Sequence, residues 1–500
     1  MKILNKETYK LSLHQEEVFT QIVSQLDTKV SSILKSTNIE DYLLSLTGPA
    51  GTGKTFLTTQ IAKYLVNKRK NSEYPMSSDF DFTITAPTHK AVGVLSKLLR
   101  ENNIQSSCKT IHSFLGIKPF IDYTTGEEKF VVDKTNKRKD RTSILIVDES
   151  SMIGNTLYEY ILEAIEDKRV NVVLFIGDPY QLLPIENSKN EIYDLPNRFF
   201  LSEVVRQAEN SYIIRVATKL RERIKNQDFI NLQQFFQENM EKEITFFHNK
   251  EAFLEDFYKE EEWHTENKIL ATYKNKDVDA FNKIIRNKFW EQKGNTTPST
   301  LLAGDMIRFK DAYTVGDITI YHNGQELQLG SAELKYHDSL HIEYWECKSI
   351  YALDQQVFRV VNPDSEAVFN QKLQMLATKA KQAKFPDNKK LWKLYYETRN
   401  MFANVQYIHA STIHKLQGST YDVSYIDIFS LVNNHYMSDE EKYRLLYVAI
   451  TRASKNIKIF MSAFDRTSCE QDSINSQKIE AINTLKQLHD IDKILKDLNF

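Results

Sequence analysis

The sequence predicts an α/β chain with two parallel-sheet cores, each interrupted by inserted material. Short β-branched or apolar runs recur with helix-forming stretches between them: "DFTITAP" (81–87), "TSILIVDE" (142–149) and "NVVLFIGD" (171–178). A second αβ series opens at "NKILATYKNKDVDAFNKIIR" (267–286) and resumes at "QYIHASTIHKLQG" and "VSYIDIF". A single phosphate-loop pattern stands in the first series. Two cores sharing one such loop suit a motor that clamps nucleotide between lobes better than a single-core NTPase.

In chain order, Leu43 to Leu46 supplies a strand, "TGPAGTGKT" a turn, and Phe56 to Lys70 a helix. Residues 117–141 break the rhythm with alternating apolar positions around a "TTGEE" turn, which reads as a β-hairpin inserted in the first core. Residues 303–408 differ again, β-rich to 361 and then lysine-rich and helical, an insertion in the second core. The expected boundaries are 1–116 with 142–225 for the first unit, 117–141 for its hairpin, 226–302 with 409–500 for the second unit and 303–408 for its insertion. In the tail, Ile479, Ile482, Leu485, Leu488, Ile491 and Leu495 fall at helical spacing.

The 500 residues are 41% hydrophobic and contain no apolar run approaching the ~18 residues a membrane span needs, so no membrane partner is expected. The start has no apolar signal core, and Cys108, Cys347 and Cys469 give neither a disulfide framework nor metal-ligand spacing; a reducing, cytoplasmic setting is expected. Net charge is −2, so a nucleic-acid partner would have to be held by a local basic groove rather than by bulk attraction.

The chemistry starts at Gly48, Pro49, Ala50, Gly51, Thr52, Gly53, Lys54 and Thr55. Glycines let successive N–H groups turn around the phosphates of ATP, Lys54 adds a point charge, Thr55 offers a hydroxyl to Mg²⁺, and the following helix aims its positive end at the same anion. In "ILIVDESSM", Asp148 would hold Mg²⁺ through water and Glu149 would polarise the attacking water as general base. Gln181 in "FIGDPYQLLP" would report on the γ-phosphate. Arg206 in "LSEVVRQ" and Arg452 in "LLYVAITRAS" would stabilise the charge that phosphoryl transfer spreads over its oxygens.

The order of these motifs resembles the superfamily 1B DNA helicases of the Pif/RecD type. Gln15 in "LSLHQEEVF" looks like the adenine-reading Q motif, "GPAGTGKT" like motif I, "TAPTHKAV" Ia, "KTIHSFLGI" Ib, "VDESSM" II, "GDPYQLLP" III, "VVRQ" IV, "STIHKLQGSTYD" V with Gly418 beside the nucleotide, and "LLYVAITRA" VI. The resemblance implies two RecA-like motor domains, a strand-separating pin in the first, an SH3-like insertion in the second and 5′→3′ movement on single-stranded DNA. It also implies single-stranded and forked DNA as partners of a monomer that works alongside a single-strand-binding or replication protein.

On that resemblance the strand is gripped by Pro87, Thr88, His89, Lys90, Thr110, His112 and Ser113 in one lobe and Ser411, Thr412, His414 and Lys415 in the other. Phe120, Tyr123 or Phe130 would meet the fork, with Phe120 and Phe130 taken as DNA contacts. In "LWKLYYETRNMF" the resemblance aligns Tyr395 and Tyr396 with an aromatic pair near the strand, so a base stack on Tyr396 is expected. Competing readings are a translocase that strips bound proteins with little unwinding of its own, and an ATP-gated clamp.

Overall fold

Every residue of the strand Leu43–Thr47 (β1) is buried, as a strand covered on both faces must be, and the chain leaves its end through a tight loop into the helix Lys54–Lys70. The pattern repeats in β2 (Phe82–Ala86) and β3 (Ser107–Thr110), is interrupted by a hairpin of β4 (Ile117–Asp122) and β5 (Glu127–Val132), and resumes in β6 (Thr142–Val147), β7 (Val170–Gly177) and β8 (Arg198–Phe200). Apart from the hairpin these strands form one sheet, β3-β2-β6-β7-β1-β8, parallel throughout. Alternation divides its side chains between two cores. Leu44, Leu46, Ile144, Ile146, Leu174 and Ile176 pack with the helices Leu13–Ser31, Lys54–Lys70 and His89–Glu101. Leu43, Leu145, Val147, Val173 and Phe175 pack on the opposite face with Ile111, Phe114 and Ile161. This computed structural model describes residues 10–31, 38–71, 80–133, 140–184, 191–204, 211–239, 241, 243–260, 262–316, 318–351 and 356–461.

The second core is also a parallel sheet. Its strands are β9 (Thr245–Phe247) and β10 (Lys268–Thr272) and, after the inserted strands β11 (Met306–Phe309), β12 (Tyr313–Val315), β13 (Ile318–Tyr321), β14 (Glu326–His337), β15 (Ile342–Ser349), β16 (Val357–Val361) and β17 (Val405–Tyr407), the strands β18 (Ala410–Thr412), β19 (Tyr421–Asp427) and β20 (Ala453–Phe460). The order is β18-β10-β19-β20-β9. The helix Tyr212–Asn226, which a boundary at 225 assigns to the first unit, belongs here. Its stripe Ile213, Val216, Leu220 and Ile224 joins Leu445, Val448 and Ala449 in one core, because the first sheet is already covered on both faces. Arg206 and the tail helix expected over 479–495 lie outside the described residues.

The insertion is an antiparallel sheet, β16-β15-β14-β11-β17, with the pair β12-β13 beside it. It carries two packed helices, Pro363–Gln382 and Asp387–Asn400. Proline at the first turn of the former suits a position whose N–H would be unpaired in any case.

Candidate nucleotide cleft and nucleic-acid interface

Sheet order brings the phosphate-loop chemistry together. β1 lies between β7 and β8, with Thr47 opposite both Gly177 and Phe200, so the loop leaving β1 meets the Gly177–Asp178 turn leaving β7. Gly48 N–H donates to Gly177 O at 3.2 Å. Gly51 and Gly53 take φ of +84° and +82°, where a side chain would be strained, and a Cβ on Gly48 would lie 2.9 Å from Leu201 O. Gln15 braces the loop from outside: Nε2 donates to Thr52 O at 3.0 Å, and Oε1 accepts Ser12 N–H at 3.1 Å. One amide N–H and one lone pair of this residue, expected to read adenine, are thus used on protein partners. Lys54 Nζ donates to the carbonyls of Gly48 (2.6 Å) and Pro49 (3.0 Å) and stands 4.0 Å from Asp178 Oδ2.

At the end of β6, burial first and the Glu149 charge second push the Asp148 carboxyl well above the usual carboxylate range. Glu149 holds φ +52°, an unfavourable conformation for a glutamate and one that turns the chain abruptly off the strand. Among the described residues no group of three or more His, Cys, Asp or Glu could hold an ion. The donors on hand, Asp148 and the exposed Thr55 hydroxyl, fit Mg²⁺, which takes one or two protein oxygens and brings phosphates and water as the rest. A cation would also relieve the crowded Asp148–Glu149 pair.

The second core closes this cleft through the helix Asp439–Thr451. Tyr447, 1% exposed, donates its hydroxyl to Asp178 Oδ2 at 2.7 Å and accepts Ala50 N–H at 2.9 Å. Arg444, on the same helix, donates to Pro179 O (2.8 Å) and Gln181 O (2.7 Å). Gly418, at φ +72°, approaches so closely that a Cβ there would lie 3.2 Å from Ala91 Cβ and 3.8 Å from Glu149 Oε1. Arg452 is buried, donating to Val448 O, Ser419 O and Thr451 Oγ1 within its own lobe. Gln181 Oε1, Gln417 Nε2 and Ser419 Oγ are buried without partners among the described residues, and such atoms call for an explanation such as an incoming polar group. No role attaches to Tyr447 or Arg444 in the sequence alone; their place within "YRLLYVAITR", on the helix that leads to Arg452, is the only signal they carry there.

One local design recurs at three strand ends. Thr88 caps the helix His89–Glu101 by accepting Ala91 N–H, Thr110 caps Ile111–Leu115 by accepting Ser113 N–H, and Thr412 caps the turn Ile413–Leu416 by accepting Lys415 N–H. Each cap is followed by an imidazole, His89, His112 or His414, whose pKa burial lowers. Pro87 is the half-buried link between β2 and the first cap. The rings of His89 and His322, from the first core and the insertion, stack at 4.3 Å. Lys90 reaches the Tyr421 hydroxyl at 2.6 Å and lies 3.8 Å from Glu326, which also accepts from Arg308; Arg308 in turn donates to Ser411 Oγ at 3.2 Å. A polar chain thus links the expected strand contacts of both lobes through the insertion. Its members His322, Glu326 and Arg308 carried no motif that could have exposed them.

The hairpin docks on the insertion's helices. Ile121 and Tyr123 pack with Ala380, Trp392, Tyr395 and Tyr396; Tyr396 donates its hydroxyl to Gly126 O at 2.8 Å; Asn388 donates to Thr124 O at 3.0 Å; and Arg399 pairs with Glu128 at 3.1 Å. This corrects the base-stacking expectation for Tyr396: the ring is 6% exposed and its hydroxyl is occupied, because the aromatic stripe covers the hairpin. Tyr395, half-buried, stands edge-on to Tyr396 in the same cluster. Phe120 and Phe130 remain open at 55% and 63% exposure. Phe120 pairs across the hairpin with Lys129 and Phe130 with Pro119, so the two rings are on opposite faces, and Phe120 is on the face away from Ile121.

The family profile described as an AAA domain matches residues 29–237, and that of the UvrD-like helicase C-terminal domain matches residues 407–457. The chain is similar to the ATP-dependent DNA helicase dda of enterobacteria phage T4, at 28% identity over 85% of this chain and 96% of that one. It is also similar to the ATP-dependent DNA helicase Pif1 of Campylobacter jejuni, at 25% identity over 48% of this chain and 49% of that one. A looser likeness is to the crystal structure of a Bacteroides Pif1 helicase in complex with ADP-AlF3 and ssDNA, with TM-score 0.45 at 16% identity over 94% of this chain and 98% of that one. In motif order, in the two matched profiles and in the dda and Campylobacter Pif1 sequences, the chain is thus similar to DNA helicases of the Pif/RecD type.

Proposed function

We propose that the chain is an ATP-driven motor that moves 5′→3′ on single-stranded DNA and separates duplex at a fork. The observation that carries this reading is the closed cleft: one helix of the second core, through Tyr447 and Arg444, is seated on the phosphate loop and the turn after β7 of the first. A site completed by two bodies gives hydrolysis only when both are in place, which is how a strand lying across both can control it. Lys54 and the loop N–H groups bind the β- and γ-phosphates, Glu149 takes the proton of the attacking water, and Gln181, Arg206 and Arg452 answer the charge that develops. Mg²⁺, held through Asp148 and Thr55, would supply charge neutralisation between the phosphates.

The strand runs over the three threonine-capped turns, whose N–H groups and imidazoles suit phosphate and base. Polarity is taken from the family resemblance. Unwinding, as against simple translocation, is favoured by the docked hairpin: a wedge anchored to the second unit's insertion holds its place while the cores move, and Phe120, on its free face, meets the fork. The proposed division is two motor units, 1–116 with 142–225 and 226–302 with 409–500, the helix at 212–226 moving to the second. Forks with a single 5′ or 3′ tail test the proposal: a fluorescent strand released with ATP only from the 5′-tailed fork is expected. Release from the 3′-tailed fork alone would overturn the polarity, and ATP-driven removal of bound protein without strand release would leave a translocase.

A further inference from the structure

Asp178 is fully buried, and a buried carboxylate has to be paired or hydrogen-bonded. Its Oδ1 accepts Tyr180 N–H at 3.0 Å, while its Oδ2 accepts the Tyr447 hydroxyl at 2.7 Å; Lys54 Nζ, donating to the carbonyls of Gly48 and Pro49, is kept at the 4.0 Å outer limit of an ion pair with it. Asp178 and Lys54 belong to the first core, Tyr447 to the second. The carboxylate therefore has a hydrogen-bond donor at Oδ2 that keeps the lysine at arm's length only while the cores are together. Remove the tyrosine, and Lys54, on a flexible stem and already at 4.0 Å, can close on Oδ2 as a tight ion pair. A lysine held there is lost to a γ-phosphate, and an incoming nucleotide would have to break a buried pair to recover it.

The other half of the hydroxyl's bonding points the same way. Burial first and the Asp178 charge second hold the Tyr447 phenol protonated, so its one proton goes to Asp178 and its lone pair is left for Ala50 N–H in the phosphate loop. Arg444 fixes the same helix to the carbonyls of Pro179 and Gln181, on either side of Tyr180, so the hydroxyl cannot drift from Asp178 while the cores stay closed.

We propose that Tyr447 is the positioning residue through which closure of the two cores frees Lys54 for nucleotide: its hydroxyl takes Asp178 Oδ2, so the carboxylate does not capture the lysine. This rests on the ATP-driven reading above and adds to it the means by which a bound strand raises nucleotide affinity.

Binding of a fluorescent nonhydrolysable ATP analogue to the full chain, with and without oligo(dT), tests it. The parent should bind more tightly with the strand. Tyr447→Phe keeps the ring and its packing but should lose about tenfold of that gain, the worth of a hydrogen bond to a charged group. Asp178→Asn, which cannot capture the lysine, should bind without the strand about as tightly as with it, and Tyr447→Phe combined with Asp178→Asn should recover what the single Phe variant loses. A merely structural tyrosine would lower the melting temperature and leave the strand dependence alone. An intact strand dependence in Tyr447→Phe overturns the inference, as does a parent that binds nucleotide equally with and without the strand. A parent that binds no nucleotide would overturn the proposed function itself.

Discussion

Gly126→Ala separates the hairpin's role from the motor's. The glycine sits at φ +77°, where a Cβ costs about 1 kcal/mol, and that Cβ would lie 2.3 Å from Trp392 Cε2, which neither a tight turn nor a buried indole can absorb. Trp392 is 5% exposed, and withdrawing a buried tryptophan forfeits about 3–5 kcal/mol. The Tyr396 bond to Gly126 O goes with it, worth about 1 kcal/mol. The polar contacts that remain, the Asn388–Thr124 bond and the Arg399–Glu128 pair, are exposed and worth about 1 kcal/mol each at most, and the packing of Ile121 and Tyr123 is loosened as the indole they share withdraws. The hairpin should therefore release from the helices. Hydrogen exchange should show protection over 117–132 falling by at least about a hundredfold, equivalent to about 3 kcal/mol. Strand release at a 5′-tailed fork should fall far more than oligo(dT)-stimulated ATP hydrolysis. A variant with released hairpin amides and the parent's unwinding rate would refute the wedge.

Lys54→Ala should abolish ATP hydrolysis while oligo(dT) binding, read by anisotropy, is retained; unwinding at the parent rate would remove the lysine from the phosphates. Glu149→Gln should bind nucleotide normally and slow single-turnover hydrolysis by about 10²- to 10⁴-fold, the usual worth of a general base, and a near-normal rate would reassign that step. Burial first, then the charges of Arg286, His264 and Lys268, push the His409 imidazole down to about 4 from an ordinary 6.5. With the folded pKa depressed, the unfolded chain binds more protons, so stability present above pH 6.5 is lost on acidification towards 4, by about 1.4 kcal/mol per pH unit from this group. His409→Gln should lose less melting temperature between pH 7 and pH 5 than the parent; equal losses would count against the assignment.

Nucleotide chemistry was legible because it is local: strand, Gly-rich turn, Lys54 and helix are contiguous, and Asp148–Glu149 end an apolar run. The Trp392–Tyr396 stripe was legible as a stripe, but spacing does not say what covers a face, and here the hairpin does. The helix Tyr212–Asn226 shows its apolar face in the sequence, while the core that receives it depends on which sheet still has an open side. Tyr447 was hidden for a different reason. A tyrosine inside an apolar helix reads as packing, and only the three-dimensional closure shows its hydroxyl between Asp178 and Ala50. The Lys90–Glu326–Arg308–Ser411 chain joins residues from three units and has no sequence signature.

In the proposed mechanism one ATP site is completed by two bodies that a DNA strand draws together. Steady-state ATP hydrolysis by the full chain, titrated with oligo(dT), tests it most directly. Hydrolysis should be slow without DNA and should rise strongly and saturably with it. A rate indifferent to single-stranded DNA, in a chain that binds the oligonucleotide, would contradict it.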